Sequence, residues 1–269
     1  MSEKRAVNIA SVMMLIWLAF YLLAVFVLPK WGGFFPIVGC TVPMLVFSKS
    51  ARGATFGARD CNTVKYPVWE YAAFFVFCIG GCALLSALSY IASGLLTASP
   101  IVPRGDFPYL FVFSCFLPAF FEEWLVRGGV LGAVAQHGSA GVWFCSLCFM
   151  LMHADFAKWP YALFAGLLIT ALVYTTECIY LGMLLHFTNN LTALLLSYLP
   201  DAKAEYIALA VIAVLFVAAF LLLRRAHLGK DVWALLRKVE REDVKALLSP
   251  LFFMFAAAVI LLILYKEML

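Results

Sequence analysis

Polar residues are confined to short intervals along this chain. Between them run nine apolar segments, at residues 7–28, 33–47, 68–96, 107–135, 142–152, 160–176, 179–199, 206–223 and 250–265. The runs are continuous rather than alternating, so they predict helices and not the strands of an outer-membrane barrel. A perpendicular helical span needs roughly 20 apolar residues. Segments 33–47 and 142–152 fall short of that length and are expected to be tilted, re-entrant or extended at their ends. The pattern predicts an all-α, polytopic transmembrane helical bundle of eight to nine helices, with residues 1–269 forming a single integral membrane domain.

Composition removes the soluble alternative. Of 269 residues, 65% are hydrophobic and 13% charged, with a mean hydropathy of +1.00; soluble domains carry about 25% charged residues. Segment 7–28 follows Lys4 and Arg5 as a signal peptide would, but no small-x-small cleavage site follows Leu28, so it reads as a retained first helix. With nine spans, one side of the membrane collects 14 basic residues and the other 5. Loops rich in Lys and Arg stay cytoplasmic. The split therefore predicts a multi-pass protein of the cytoplasmic membrane with a cytoplasmic N-terminus and the end of the last span outside. Residues 224–249 place Val232, Leu235, Leu236 and Val239 at helical spacing among many charges. They predict an amphipathic cytoplasmic connector, lying either on the membrane surface or in solvent. The eight cysteines fall mostly in apolar runs and suggest no disulfide framework.

Against this background, Glu122 and Glu123 are conspicuous, because they stand side by side in the apolar run that ends at Val126. A charge at the centre of a membrane helix costs about 2.5–3.5 kcal/mol even on insertion scales, and such charges default to function. Glu123 and Arg127 are at i and i+4 and can pair, whereas Glu122 points about 100° away. One carboxylate can be structural while its neighbour stays free to act as a general base for water. The plainer alternative is mutual neutralisation at a membrane boundary. Phe149 and His153 share a helical face one run later. Counting from a turn at Gln136–Gly141 brings His153 within about 5 Å in height of the glutamates. His186 and Asn190 share a face in segment 179–199, either as hydrogen-bond donors to a developing oxyanion or as polar glue between helices.

A carboxylate base, a histidine beside it and a His–Asn donor pair make a hydrolytic constellation. Zinc is a weaker alternative, since no HExxH motif is present and asparagine is a poor zinc ligand. Neither GxSxG nor a Ser–Lys pair supports a serine nucleophile, and Cys115 and Cys178 lack a fixed spacing to a histidine.

In order and spacing, Glu122-Glu123-x-x-x-Arg127, Phe149-x-x-x-His153 and His186-x-x-x-Asn190 resemble three motifs of the CAAX protease and bacteriocin-processing family, also called the abortive-infection family. That family includes the type II CAAX prenyl endopeptidases. The resemblance covers about residues 107–200, the catalytic core helices, and implies an intramembrane glutamate endopeptidase with a polar cavity open to water. By carry-over Glu122 activates water with the help of His153, and His186 with Asn190 forms the oxyanion hole. Glu123, Arg127 and Phe149 support that geometry. It implies no cofactor, a peptide or lipidated-peptide substrate, and a lipid bilayer as surroundings; no nucleic acid is expected. Two other classes fit the composition: a non-catalytic scaffold or bacteriocin-immunity protein that keeps the motif for packing, and a proton-linked carrier. The carrier predicts inverted repeats, and none is visible.

Overall fold

In hydrocarbon a helix is the one open structure that satisfies its own backbone, and the apolar segments fold accordingly. The computed structural model describes residues 3–27, 34–51, 65–92 and 106–268. Among these, the regular structure is helical and no strand is present. The helices are α1 (Glu3–Leu22, continued by the π-helical turn Leu23–Val27), α2 (Phe34–Ala51), α3 (Val68–Ala92), α4 (107–134), α5 (Gly138–Met152), α6 (Trp159–Thr176), α7 (Ile179–Leu196), α8 (Ala202–Leu223), α9 (His227–Arg237), α10 (Arg241–Leu247) and α11 (Pro250–Met268). Most of the basic loop at 48–66, including Arg52 and Arg59, and the end of the third segment lie outside the described residues.

Among the described residues, seven helical stretches are long and apolar enough to cross a membrane. One of them, Phe107–Met152, doubles back on itself, and the shorter apolar helix Phe34–Phe47 packs beside α1. The count therefore agrees with eight to nine passes. The doubling back occurs at the 3₁₀ turn Ala135–His137 and at Gly138, whose φ of +51° suits glycine. A Cβ on Gly141 would lie 2.4 Å from the Val134 carbonyl oxygen, so the two arms close only because that residue is glycine too.

α5 is the short segment that looked re-entrant. At about 22 Å for its 15 residues it is buried on nearly every face, from Ser139 to Met152. Wrapped in protein, it has no need to match the bilayer thickness. The first and last spans run parallel: Ser11 Oγ meets Ser249 Oγ at 3.1 Å, and Lys266 Nζ donates to Tyr21 Oη at 2.9 Å.

The stretch 224–249 forms α9 and α10. The sequence left membrane surface and solvent open as its surroundings. In the structure, buried Leu228, Val232 and Leu247 face the bundle itself. Four polar clamps hold this floor. Tyr66 Oη donates to Asp231 at 2.7 Å, and Leu228 N–H donates to Glu70 at 2.7 Å. His137 Nδ1 meets Asp243 at 2.9 Å, and Trp143 Nε1 donates to the Leu236 carbonyl at 3.3 Å. Burial, then the Asp231 contact, raise the Tyr66 phenol above its ordinary pKa. Glu70, fully buried, caps the first turn of α9. Replacing it by alanine leaves that N–H buried and unpaired, a loss of about 1–3 kcal/mol. The expected result is a lower thermal unfolding midpoint for purified Glu70→Ala protein; an unchanged midpoint would show that the cap is not holding α9.

The cysteine expectation needs one correction. Cys40, Cys78, Cys82, Cys115, Cys145 and Cys148 are free and buried, but Cys178 is disulfide-bonded. It stands in the two-residue connection between α6 and α7, outside any helix, and the bond removes it as a thiol nucleophile.

Candidate active site

Four helices line one cavity of about 410 Å³. Its floor, at mid-depth of the bundle, is made by Glu122, Phe149, Ile169 and His186. Its walls rise along α4, α6 and α7 to a mouth at Leu110, Lys158 and Tyr198. The mouth lies at the end of the bundle opposite α9 and α10.

α4 carries the glutamates, and its backbone is irregular around them. π-helical turns at Phe111–Phe116 and Trp124–Leu131 flank the α-helical piece Leu117–Glu123. Such widened turns frequently accompany functional sites. Pro118 contributes to the irregularity. It has no N–H for the carbonyl four residues back, which belongs to Ser114. Asn190 Nδ2 donates to that carbonyl at 3.2 Å, tying α7 to the proline turn.

The hairpin sets relative depth. Cys145 Sγ donates to the Val126 carbonyl at 3.2 Å, so residues 126 and 145 are level, and one turn nearer the mouth so are 122 and 149. The turn centre at 135–138, rather than at Ser139, thus places Phe149 beside the glutamates. His153 lies one turn, about 5.4 Å, nearer the mouth.

The two glutamates have separate fates. Glu123 is fully buried, and its Oε1 accepts from Arg127 Nη1 and from His186 Nδ1, each at 2.8 Å. Arg127 is fully buried as well. Its Nε donates to Thr170 Oγ1 and its Nη2 to the Gly166 carbonyl, both at 3.2 Å, while the guanidinium lies 4.5 Å from the Phe149 ring centroid. A buried arginine held by carboxylate, hydroxyl, carbonyl and aromatic face is fully compensated. Glu122 points instead into the cavity and accepts no hydrogen bond from the described residues. The charges facing it are those of His186, Glu123 and Arg127.

The histidines are oriented by their Nδ1 atoms. His153 Nδ1 lies 3.0 Å from the Phe149 carbonyl, which can only accept, so Nδ1 carries the hydrogen and Nε2 is left for the cavity. His186 Nδ1 is committed to Glu123, so its Nε2 is likewise the free ring nitrogen. The Phe149 ring packs edge-on to both imidazoles, 5.0 Å from His153 and 5.5 Å from His186, and Tyr161 packs against His153 at 5.8 Å.

All seven residues singled out in the sequence thus meet at one place. Glu122, Phe149, His153, His186 and Asn190 line the cavity, and Glu123 with Arg127 lies directly behind it. Sequence reading missed Thr170, Gly166, Ser114 and Tyr161. Thr170 carried a faint signal as the hydroxyl in the middle of an apolar run; Ser114 and Gly166 act through backbone carbonyls and had none. Gly182 matters for space, because a Cβ there would approach Val173 Cγ2 to 2.7 Å and Glu123 Oε2 to 3.2 Å. Among the described residues, no group of three or more His, Cys, Asp or Glu is arranged to hold a metal ion.

Residues 104–192 match the family model described as type II CAAX prenyl endopeptidase Rce1-like. No curated protein and no solved structure matches the chain.

Proposed function

We propose, from the match of residues 104–192 to the type II CAAX prenyl endopeptidase family model, that the chain is an intramembrane glutamate endopeptidase whose water-activating base is Glu122. The observation that carries this reading is the convergence of Glu122, His153, His186 and Asn190 from three separate helices, α4, α5 and α7, on one cavity. Water held between the Glu122 carboxylate and His153 Nε2 attacks the substrate carbonyl carbon as Glu122 takes its proton. The carbonyl oxygen becomes an oxyanion. It receives hydrogen bonds from His186 Nε2–H, with Nδ1–H on Glu123, and from the second N–H of the Asn190 amide. On collapse the C–N bond breaks, and Glu122 returns its proton to the leaving amine. Every group in this cycle is a side chain, so it needs no metal or cofactor; zinc analysis of the pure enzyme tests that part directly.

The substrate is a membrane-associated or lipid-modified peptide, consistent with a narrow cavity sunk in a bundle. Comparing membrane peptides from cells carrying wild-type and Glu122→Ala protein tests the activity. Fragments are expected with the wild type alone, with intact precursor accumulating in the variant. Identical peptide sets, with full cellular function retained by Glu122→Gln, would instead favour the scaffold or immunity reading.

The basic residues set the direction of approach. Arg127 is buried at mid-depth and leaves the loop count; the remaining split, 13 to 5, favours a cytoplasmic N-terminus with α9 and α10 on the same side. The cavity mouth then opens on the opposite face. Lys158→Cys at the mouth should react with a membrane-impermeant maleimide in intact cells, and Lys245→Cys in α10 only after permeabilisation. The reverse labelling pattern would overturn this orientation and turn the mouth to the cytoplasm.

A further inference from the structure

A second concavity, of about 510 Å³, lies at the other end of the bundle where α8 meets α9. Phe220, Arg224, Lys230, Trp233, Ala234 and Arg237 line it. Three of the six are cations and none is an acid. Among the described residues, none of the three cations takes part in an ion pair, although ion pairs form elsewhere on this surface, as at Lys245 and Glu242. The single acid of α9, Asp231, is held by Tyr66.

The groove is rigid. Phe77 stacks on Phe216 at 4.8 Å and on Phe220 at 5.8 Å, and meets Trp233 edge-on at 5.8 Å. The Glu70 and Tyr66 clamps hold α9 from the opposite side. Above it, α8 turns Val214, Val217, Leu221 and Leu222 outward, each at least half exposed. An apolar helix face with that exposure belongs against acyl chains, and it runs directly into the cationic groove at Arg224.

We propose that this groove binds the headgroup of an anionic phospholipid, whose acyl chains lie along α8. Arg224 and Arg237 present planar forks to the phosphodiester, Lys230 adds a point charge, and Trp233 sits at headgroup level as interfacial indoles do. A lipid bound there bridges the last turn of α8 and the amphipathic connector. It lies at the end of the bundle away from the cavity mouth and does not depend on the peptidase reading.

The full-length protein in neutral phosphatidylcholine bicelles is titrated with phosphatidylglycerol or, separately, with inorganic phosphate, and thermal unfolding is followed. Phosphatidylglycerol should give a saturable rise in midpoint, and phosphate at equal concentration none. In Arg224→Gln/Arg237→Gln protein the apparent affinity should fall about fivefold per charge removed, from roughly 1 kcal/mol for each cation near an anionic surface. An equal response in wild type and variant would overturn the site. A response to phosphate alone would replace the lipid by a free anion and overturn the headgroup assignment. Should the double variant lose its fold in phosphatidylcholine alone, the single Lys230→Gln variant, altered at an exposed side chain, carries the same comparison.

Discussion

Glu122→Gln lowers turnover by about 10²–10⁴-fold, the usual contribution of a positioned general base, while the bundle stays folded. The amide has the shape of the carboxylate but cannot take a proton from water. The substitution removes no hydrogen bond made by the described residues, because Glu122 faces the cavity and Glu123 bears the structural load. The informative measurement pairs cleavage rate with the thermal midpoint of the same purified sample. A large rate loss at unchanged midpoint assigns the base. Near-normal turnover would remove Glu122 from the chemistry, and a collapse of both quantities would make it a structural group.

The second large effect falls on stability. Arg127→Met strips the Glu123 carboxylate of its principal counter-charge, deep inside the bundle. Breaking a buried pair from one side costs about 3–5 kcal/mol because the remaining charge is left uncompensated. Against a usual total of about 5–15 kcal/mol, that is enough to lower yield and midpoint sharply. The donors to Thr170 and Gly166 and the guanidinium on Phe149 go at the same time. Neutralising both partners, in Glu123→Gln/Arg127→Met, should recover part of the lost stability, since no bare charge remains. Activity should stay low in the double variant, because His186 then loses the carboxylate that orients its ring. If Arg127→Met matched the wild-type midpoint, the buried guanidinium would not be what holds α4 to α6.

The cavity and the groove occupy different surroundings. The mid-depth site lies between helices that are buried on most sides, and α5 is enclosed almost completely. A central, packed helix suits a residue such as His153, whose ring must hold one tautomer. The groove at α8 and α9 lies on the periphery instead, where exposed cations meet the lipid-facing surface.

Much of the site was legible before any coordinates, and the reason is the solvent. In an apolar run a charged or amide side chain has few neutral explanations, so Glu122, Glu123, His186 and Asn190 stand out without structural help. Spacing of four residues puts Glu123 with Arg127, and Phe149 with His153, on common faces, and both pairs do meet. Pairings across helices were less legible. Nothing local indicates that Asn190 takes the carbonyl freed by Pro118, or that His186 Nδ1 goes to Glu123. The connector 224–249 shows the same division: its periodicity revealed an apolar face, but the partner of that face is the bundle.

The amino-acid order by itself determined the solvent in which this protein lives, the helical character of each span and which polar groups had to find partners, because these follow from composition and from a repeat of 3.6 residues. Only the tertiary structure decided which partners they found, which of two adjacent glutamates stays free, and at which end the cavity opens. Those outcomes depend on contacts between residues as far apart as Glu123 and His186. Such contacts depend on how helices cross and on the few places, such as Gly141 and Gly182, where backbones come close enough to meet.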